Sequence, residues 1–218
     1  MTRRQAITAT ATLGLALLLL AMGAAARPLL VDEHPLSRPV LNPTEIGFAQ
    51  DMLAHHSQAL IMTARLDQTA DPTVVALADR IEATQREEIG ELKGWLRMAG
   101  ASTVNNAPMQ WMHPNNSVTD HHHHAATPSE TADGGPAMPG MATQTELDAL
   151  SAARGTDAAR SFLHMMTRHH YGGIQMAQAA NNLLTDGIVK QTARDMMTNQ
   201  TQEAALMEIM LNSLTTAR

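Results

Sequence analysis

The chain has 218 residues, a formal net charge of −6 and no cysteine. This length allows one domain or two small halves packed together, and the missing cysteine excludes disulfides and thiolate metal sites. The acidic balance argues against nucleic acid as a partner. An aromatic content of 2% favours helices packed by Ala, Leu and Met over sheets.

Residues 1–26 have the features of an export signal. Arg3 and Arg4 give a basic start, an apolar run follows, and Ala24 and Ala26 fit an A-x-A cleavage pattern. We expect cleavage after Ala26 and a periplasmic or secreted protein. The general secretion route is favoured, and the twin-arginine route that Arg3 and Arg4 suggest stays open as the alternative. No later segment is long and apolar enough to span a bilayer, so no membrane contact is expected after cleavage.

Five helices are predicted after an irregular segment, residues 27–41. Asn42 before Pro43 and Glu45 is typical of a helix start with a capping box, and Asp71-Pro72 repeats the start signal. Gly and Pro signals set the other boundaries. The expected helices cover residues 43–66, 72–99, 146–153, 157–184 and 188–214.

The segment 101–144 differs from its surroundings because it is rich in Pro, Gly, Asn and Thr and lacks apolar periodicity. We expect a long loop or a partly disordered linker there. A run of four histidines binds Cu(II), Ni(II) or Zn(II) weakly whatever its purpose. Possible accessory metal ligands in this segment are Met109, Met112, His113, His121, His122, His123 and His124.

The two halves of the chain repeat one pattern of residues 114 positions apart. The first copy is Phe48, Met52, His55, His56 and Met62, and the second is Phe162, Met166, His169, His170 and Met176. The following helices also match, through Gln85 and Glu88, and Gln200 and Glu203. The repeat predicts two helical hairpins, 42–100 and 145–218, that form one all-α four-helix bundle with 101–144 as the crossover.

This pattern, Phe-x3-Met-x2-His-His-x5-Met followed by Gln-x2-Glu on the next helix, resembles the bacterial domain of unknown function 305 family. The resemblance covers about residues 42–100 and 145–214. It implies a ferritin-like helical fold. It also implies a role in copper homeostasis or resistance, because some exported members are similar to a periplasmic copper-binding protein. The chain departs from the family pattern at Gln58, where the family prefers Gly, and at Thr63, where it prefers Ala.

The repeated His and Met side chains are candidate metal ligands. Burying imidazoles costs free energy unless each finds a partner, and apolar residues would fill a core as well. Thioethers favour Cu(I), imidazole serves Cu(I) and Cu(II), and zinc gains little from Met. A di-iron site would need Glu-x-x-His, which the chain lacks. The predicted copper ligands are His55, His56, Met52, Met62, His169, His170, Met166 and Met176, with Gln85, Glu88, Gln200 and Glu203 as possible hydrogen-bond partners of the imidazoles.

The sequence therefore predicts an exported protein that sequesters copper or transfers it to an exchange partner that the sequence does not identify. Because no nucleophile, phosphate loop or general-base constellation is visible, we expect no enzymatic activity. Two alternatives stay open: a helical interaction or stress protein whose His and Met are structural, and a copper-dependent oxidase.

Overall fold

The computed structural model describes residues 16–23, 40–113 and 138–216. Residues 16–23 are helical and belong to a separate unit, Met1–Arg38. The rest of the predicted export signal lies outside the described residues, as does most of the segment 27–41. The all-α class is confirmed, because the described residues form helices and no strand. None of the described helices has the length and apolarity needed to cross a membrane.

The first hairpin consists of α1 (Pro43–Arg65) and α2 (Pro72–Met98). The Asn42 side chain accepts a hydrogen bond from Glu45 N, and the Glu45 carboxylate accepts one from Asn42 N. Asp71 caps α2 by accepting from the backbone N–H of Thr73 at 2.8 Å. These caps satisfy backbone donors that a helix start otherwise leaves unpaired.

The second half contains α3 (Gln144–Ala152), α4 (Gly155–Leu183) and α5 (Ile188–Thr216). The short helix α3 begins two residues earlier than the sequence predicted. Thr143 supplies the reason, because its hydroxyl accepts from Glu146 N while the Glu146 carboxylate accepts from Thr143 N. The long helices agree with the predicted ranges within about two residues, which is the usual precision of helix boundaries.

The hairpins pack as α1 on α2 and α4 on α5, and α1 also packs against α4. Phe48 and Met52, near the start of α1, share one core cluster with Met176, near the end of α4. Met62, near the end of α1, shares a second core cluster with Phe162. Helices α1 and α4 therefore cross antiparallel, and an approximate two-fold relation connects the two repeats. We call these clusters the first and second core clusters.

The described parts of the crossover pack against the helices, while the expectation of a long loop or partly disordered linker over 101–144 stays a prediction. Residues 101–113 pack on the first core cluster and include a 3-10 turn, Gln110–Met112. The buried carboxylate of Asp51 needs partners, and it accepts hydrogen bonds of 2.7–2.9 Å from Asn105 Nδ2, Met109 N and Trp111 Nε1. Residues 114–137 lie outside the described residues.

The other described part of the crossover is residues 138–142, which we call the strap. It runs along α4, where Gly140 adopts φ +78° and leaves no room for a Cβ beside Arg168 O. The strap is tied to α1 by Gln58, whose amide donates to Ala142 O at 2.8 Å and accepts from Ala142 N at 2.7 Å. The strap therefore joins both hairpins near the point where α1 and α4 cross.

Candidate metal centre

Four imidazoles lie together where α1 and α4 cross, between the two core clusters. We call His55, His56, His169 and His170 the histidine layer, and each of these residues is 0% exposed. The Met-x-x-His-His pattern produces the layer because helical spacing sets both histidines of each repeat between the Met positions on one side of the helix. The two-fold relation then brings the four rings together.

His55 and His169 stack on each other at the centre of the layer. Their ring centroids are 3.7 Å apart and the ring planes differ by 31°. Burial lowers the pKa of His55 to about 3, and the neighbouring His56 adds to the shift. Burial also lowers the pKa of His169 well below its usual range, with His55 next in effect. Both central rings are therefore neutral at pH 7, because burial disfavours the charged form.

The outer two imidazoles each pair with a carboxylate from the partner helix of the same hairpin. The distance from His56 Nε2 to Glu88 Oε2 is 2.5 Å, and that from His170 Nε2 to Glu203 Oε2 is 2.7 Å. The Glu88 and Glu203 side chains are 11% and 10% exposed. Each carboxylate accepts a hydrogen bond from Nε2–H of the imidazole and so fixes the orientation of that ring.

The other ring nitrogen, Nδ1, has no hydrogen-bond partner in any of the four imidazoles. His55 uses its Nε2 to donate to Pro139 O at 3.2 Å, whereas both ring nitrogens of His169 lack a partner. A neutral imidazole that donates from Nε2 carries its lone pair on Nδ1. A carboxylate on the remote nitrogen is also the usual support of a metal-bound histidine. Each ring that donates from Nε2 therefore has an Nδ1 lone pair available to a ligand.

The four predicted Met ligands flank the histidine layer. All are fully buried, and each repeat contributes one to each core cluster: Met52 and Met176 to the first, Met62 and Met166 to the second. In residues 16–23, 40–113 and 138–216, no three His, Cys, Asp or Glu side chains form a group that could hold a metal ion, so a site at the histidine layer would also need the thioethers. Nitrogen donors from the layer together with thioether donors remain the predicted ligand set.

Comparison with known proteins agrees with this architecture. The family model described as "Domain of unknown function (DUF305)" matches residues 45–211, which include both hairpins and the whole histidine layer. The chain belongs to the DUF305 family. No curated protein matches the chain.

Solved structures with the same fold include two further DUF305 proteins. A candidate secreted DUF305 protein from Streptomyces coelicolor is 32% identical with a TM-score of 0.66, covering 79% of this chain and 92% of that one. A DUF305 fragment from Deinococcus radiodurans is 28% identical with a TM-score of 0.61, over 79% and 97%. CopM in its Cu(II)-bound form is 21% identical with a TM-score of 0.52, over 78% and 96%. The predicted family resemblance is thus confirmed.

Other residues predicted from the sequence have varied locations in this DUF305 chain. Buried Met109 and partly buried Met112 lie at the first core cluster, with Met52 and Met176, and His113 is exposed. The run His121, His122, His123 and His124 lies outside the described residues. Their role as accessory ligands stays a prediction.

The two glutamines of the Gln-x2-Glu pattern, unlike the two glutamates, form no hydrogen bond with the imidazoles. Gln85 Oε1 and both amide atoms of Gln200 are buried without a partner. A Cβ on Gly173 would overlap Gln200 Oε1, so the missing side chain at Gly173 lets Gln200 approach α4 one turn from His169. Only the glutamates hydrogen-bond imidazoles among these predicted partners.

Sequence reasoning missed two residues that shape the site in this DUF305 protein. Pro139 contributes the carbonyl that accepts from His55, and Gln58 holds the strap that carries Pro139. The one available signal was the departure from the family pattern at Gln58. A pattern of side chains does not reveal a backbone carbonyl, so Pro139 gave no signal of its own.

Proposed function

We propose that this DUF305 protein is exported and binds copper, as Cu(I) or Cu(II), in order to sequester it or transfer it to another protein. The observation that carries the proposal is the histidine layer: four buried imidazoles, each with an unpartnered Nδ1, between two core clusters that each contain two of the predicted Met ligands. The proposal includes no catalytic step.

The free energy that the histidine layer costs in the metal-free protein supports the proposal that the layer binds a ligand. A buried polar atom without a partner costs about 1–3 kcal/mol, and at least four such nitrogens lie in this one layer. Aliphatic side chains of similar volume would avoid that cost. A metal bound to the Nδ1 lone pairs would offset it, and His56 and His170 already have the carboxylate support that metal-bound histidines require.

The choice of copper follows from the donor atoms. Met52, Met62, Met166 and Met176 offer soft thioethers, which favour Cu(I), while imidazole binds Cu(I) and Cu(II). The likeness to CopM, which was solved in a Cu(II)-bound form, supports the same metal. Zinc or nickel would be held, if at all, by the run from His121 to His124.

Export is supported by two observations. Residues 1–26 have the composition of a signal peptide with cleavage after Ala26, and the Streptomyces coelicolor DUF305 protein is described as a secretion candidate. A ligand set of His and Met suits an oxidising compartment, because thioethers cannot be lost to disulfide formation.

One structural feature favours the alternative, in which the histidines are structural. His55 and His169 stack on each other, and His56 and His170 are hydrogen-bonded to Glu88 and Glu203, so the layer could hold the hairpins together without metal. This alternative predicts the same melting temperature with and without copper. Copper binding predicts a rise, because a ligand of the folded state alone raises stability.

Copper titration of the mature chain, residues 27–218, tests the proposal. The first variant replaces all four residues of the histidine layer by Ala. The matched control replaces the four histidines of residues 121–124 by Ala, so that the same number of imidazoles is lost. We expect the control to keep the tight copper site and the layer variant, checked for helicity by circular dichroism, to lose it. Unchanged stoichiometry and affinity in a folded layer variant would reject the assignment.

A further inference from the structure

The strap, residues 138–142, lies against the central pair of the histidine layer. Pro139 O accepts the Nε2 proton of His55 at 3.2 Å. Gly140 is so close to α4 that a Cβ on it would lie 3.0 Å from His169 Cα, and a Cβ on Gly172 would overlap Pro139 O. The strap therefore contacts the ring of His55 and lies against the backbone of α4 at His169.

The repeat shows how the strap is held. Gln58 and Gly172 occupy the same position of the two repeats, 114 residues apart. In the first repeat, the Gln58 side chain makes two hydrogen bonds to the backbone of Ala142. In the second, the missing side chain of Gly172 makes room for Pro139. At this shared repeat position, Gln58 therefore binds the strap to α1, and Gly172 leaves space for the strap on α4.

The strap makes two apolar contacts with the core, through Met138 at the first core cluster and Ala142 in the second, and it has space beside it. Ala142 is its one buried residue, and residues 138–141 are each partly exposed. A cavity of about 470 Å³ borders the strap at Gly140 and extends along α4, past Gly172 and Tyr171, to Glu208 on α5. A segment with few buried apolar contacts opens at lower cost than the helices around it.

We propose that the strap is the gate through which metal reaches the histidine layer, and that Gln58 is the positioning residue that keeps it closed. Lifting the strap breaks the bond from His55 to Pro139 O and exposes the ring of His55. The metal route rests on the proposed function, whereas the clamping of the strap by Gln58 does not. The competing route is the groove between α2 and α5, lined by Arg80, Thr84 and Gln202, which reaches Glu203.

Gln58→Ala in the mature chain tests the gate by two measurements. Hydrogen exchange at residues 140–142 reports the opening of the strap, which should become about tenfold more frequent or more when both Gln58 hydrogen bonds are lost. Because the Ala142 amide loses its own acceptor in this variant, acceleration that also reaches Gly140 and Met141 is the sign of opening. Stopped-flow transfer of Cu(I) from a chromophoric chelator reports uptake. We expect uptake to accelerate by a similar factor while the copper stoichiometry stays that of the wild type.

Gln50→Ala is the matched control. Gln50 lies on α1 two turns before Gln58 and ties down the other part of the crossover, by donating to Ser102 O at 2.8 Å. We expect Gln50→Ala to leave both the Ala142 exchange rate and the copper uptake rate unchanged. Equal acceleration of uptake by the two variants would overturn the proposal, because it would indicate general loosening.

Displacement of the strap from the other side gives an independent test. Gly172→Ala places a methyl group against Pro139 O, whereas Gly90→Ala adds the same group where nothing lies within 4 Å. Faster exchange at residues 138–142 and faster uptake in Gly172→Ala alone would support the gate. Faster exchange with unchanged uptake would overturn it and indicate the groove at Glu203. If the wild-type protein takes up no copper while exchange still responds to Gln58→Ala, the proposed function fails and the clamp stands.

Discussion

As the pH falls, the metal-free protein should begin to lose stability at a higher pH than it would if only its carboxylates became protonated. Burial lowers the pKa of His55 to about 3 and that of His169 in the same direction, while an unfolded histidine has a pKa of about 6.5. Between these values the unfolded chain binds protons that the folded chain does not. Stability is therefore fully present above pH 6.5 and falls as the pH drops toward 3.

The size of the effect follows from the shift of His55. At pH 4.5 the unfolded histidine is almost fully protonated and the folded one almost fully neutral, so His55 alone removes roughly 2–3 kcal/mol of unfolding free energy relative to pH 7. His169 acts in the same direction. Carboxylates affect stability only at lower pH. Hydrogen bonds from Arg168 lower the pKa of Glu146 to about 2, so the contribution of Glu146 to stability is lost only as the pH falls below about 4.5.

Urea titrations at pH 7 and pH 4.5, with the metal removed by chelation, measure this difference. His55→Gln should lower stability at pH 7 and should flatten the pH dependence, because one titrating group is removed. His164→Gln, which removes an exposed histidine of α4, should keep the wild-type pH dependence. Equal losses between pH 7 and pH 4.5 in the wild type and His55→Gln would refute the reasoning.

Four substitutions test the fold and the site. Asp51→Asn should cost about 2–4 kcal/mol in urea unfolding, because an amide cannot accept all three hydrogen bonds that hold residues 101–113. Gly172→Ala should cost about 1–3 kcal/mol by overpacking against backbone, while Gly173→Ala, which meets only the flexible end of a side chain, should cost less than 1 kcal/mol. Glu88→Gln should weaken copper binding about 10- to 100-fold in competition with a chelator, without changing its stoichiometry.

Much of the helical framework could be predicted from the sequence because its signals are local. Asn42 with Glu45 and Asp71 with Pro72 define helix starts through contacts within three residues. The 114-residue repeat predicted that equivalent faces of two helices would meet. It thereby placed His55 and His169 on packing surfaces before any contact between them was known.

The rest depends on contacts between distant residues. The crossover looked loose by composition, but Asp51 on α1 fixes residues 101–113 through partners 54 to 60 positions away. The strap is fixed by Gln58 across 84 positions. The contacts of Asp51 with Met109 N and of Gln58 with Ala142 join a side chain to backbone groups. Backbone groups are the same in every residue, so residue type alone does not identify such partners.

Copper X-ray absorption spectroscopy tests the central claim most directly. The sample is the mature chain with the histidines of residues 121–124 replaced by Ala, loaded with one equivalent of Cu(I), so that the described part of the chain supplies the ligands. A copper ion in the histidine layer predicts imidazole nitrogen together with thioether sulfur in the first coordination sphere. Nitrogen and oxygen neighbours without sulfur, or loss of the metal during gel filtration, would contradict it.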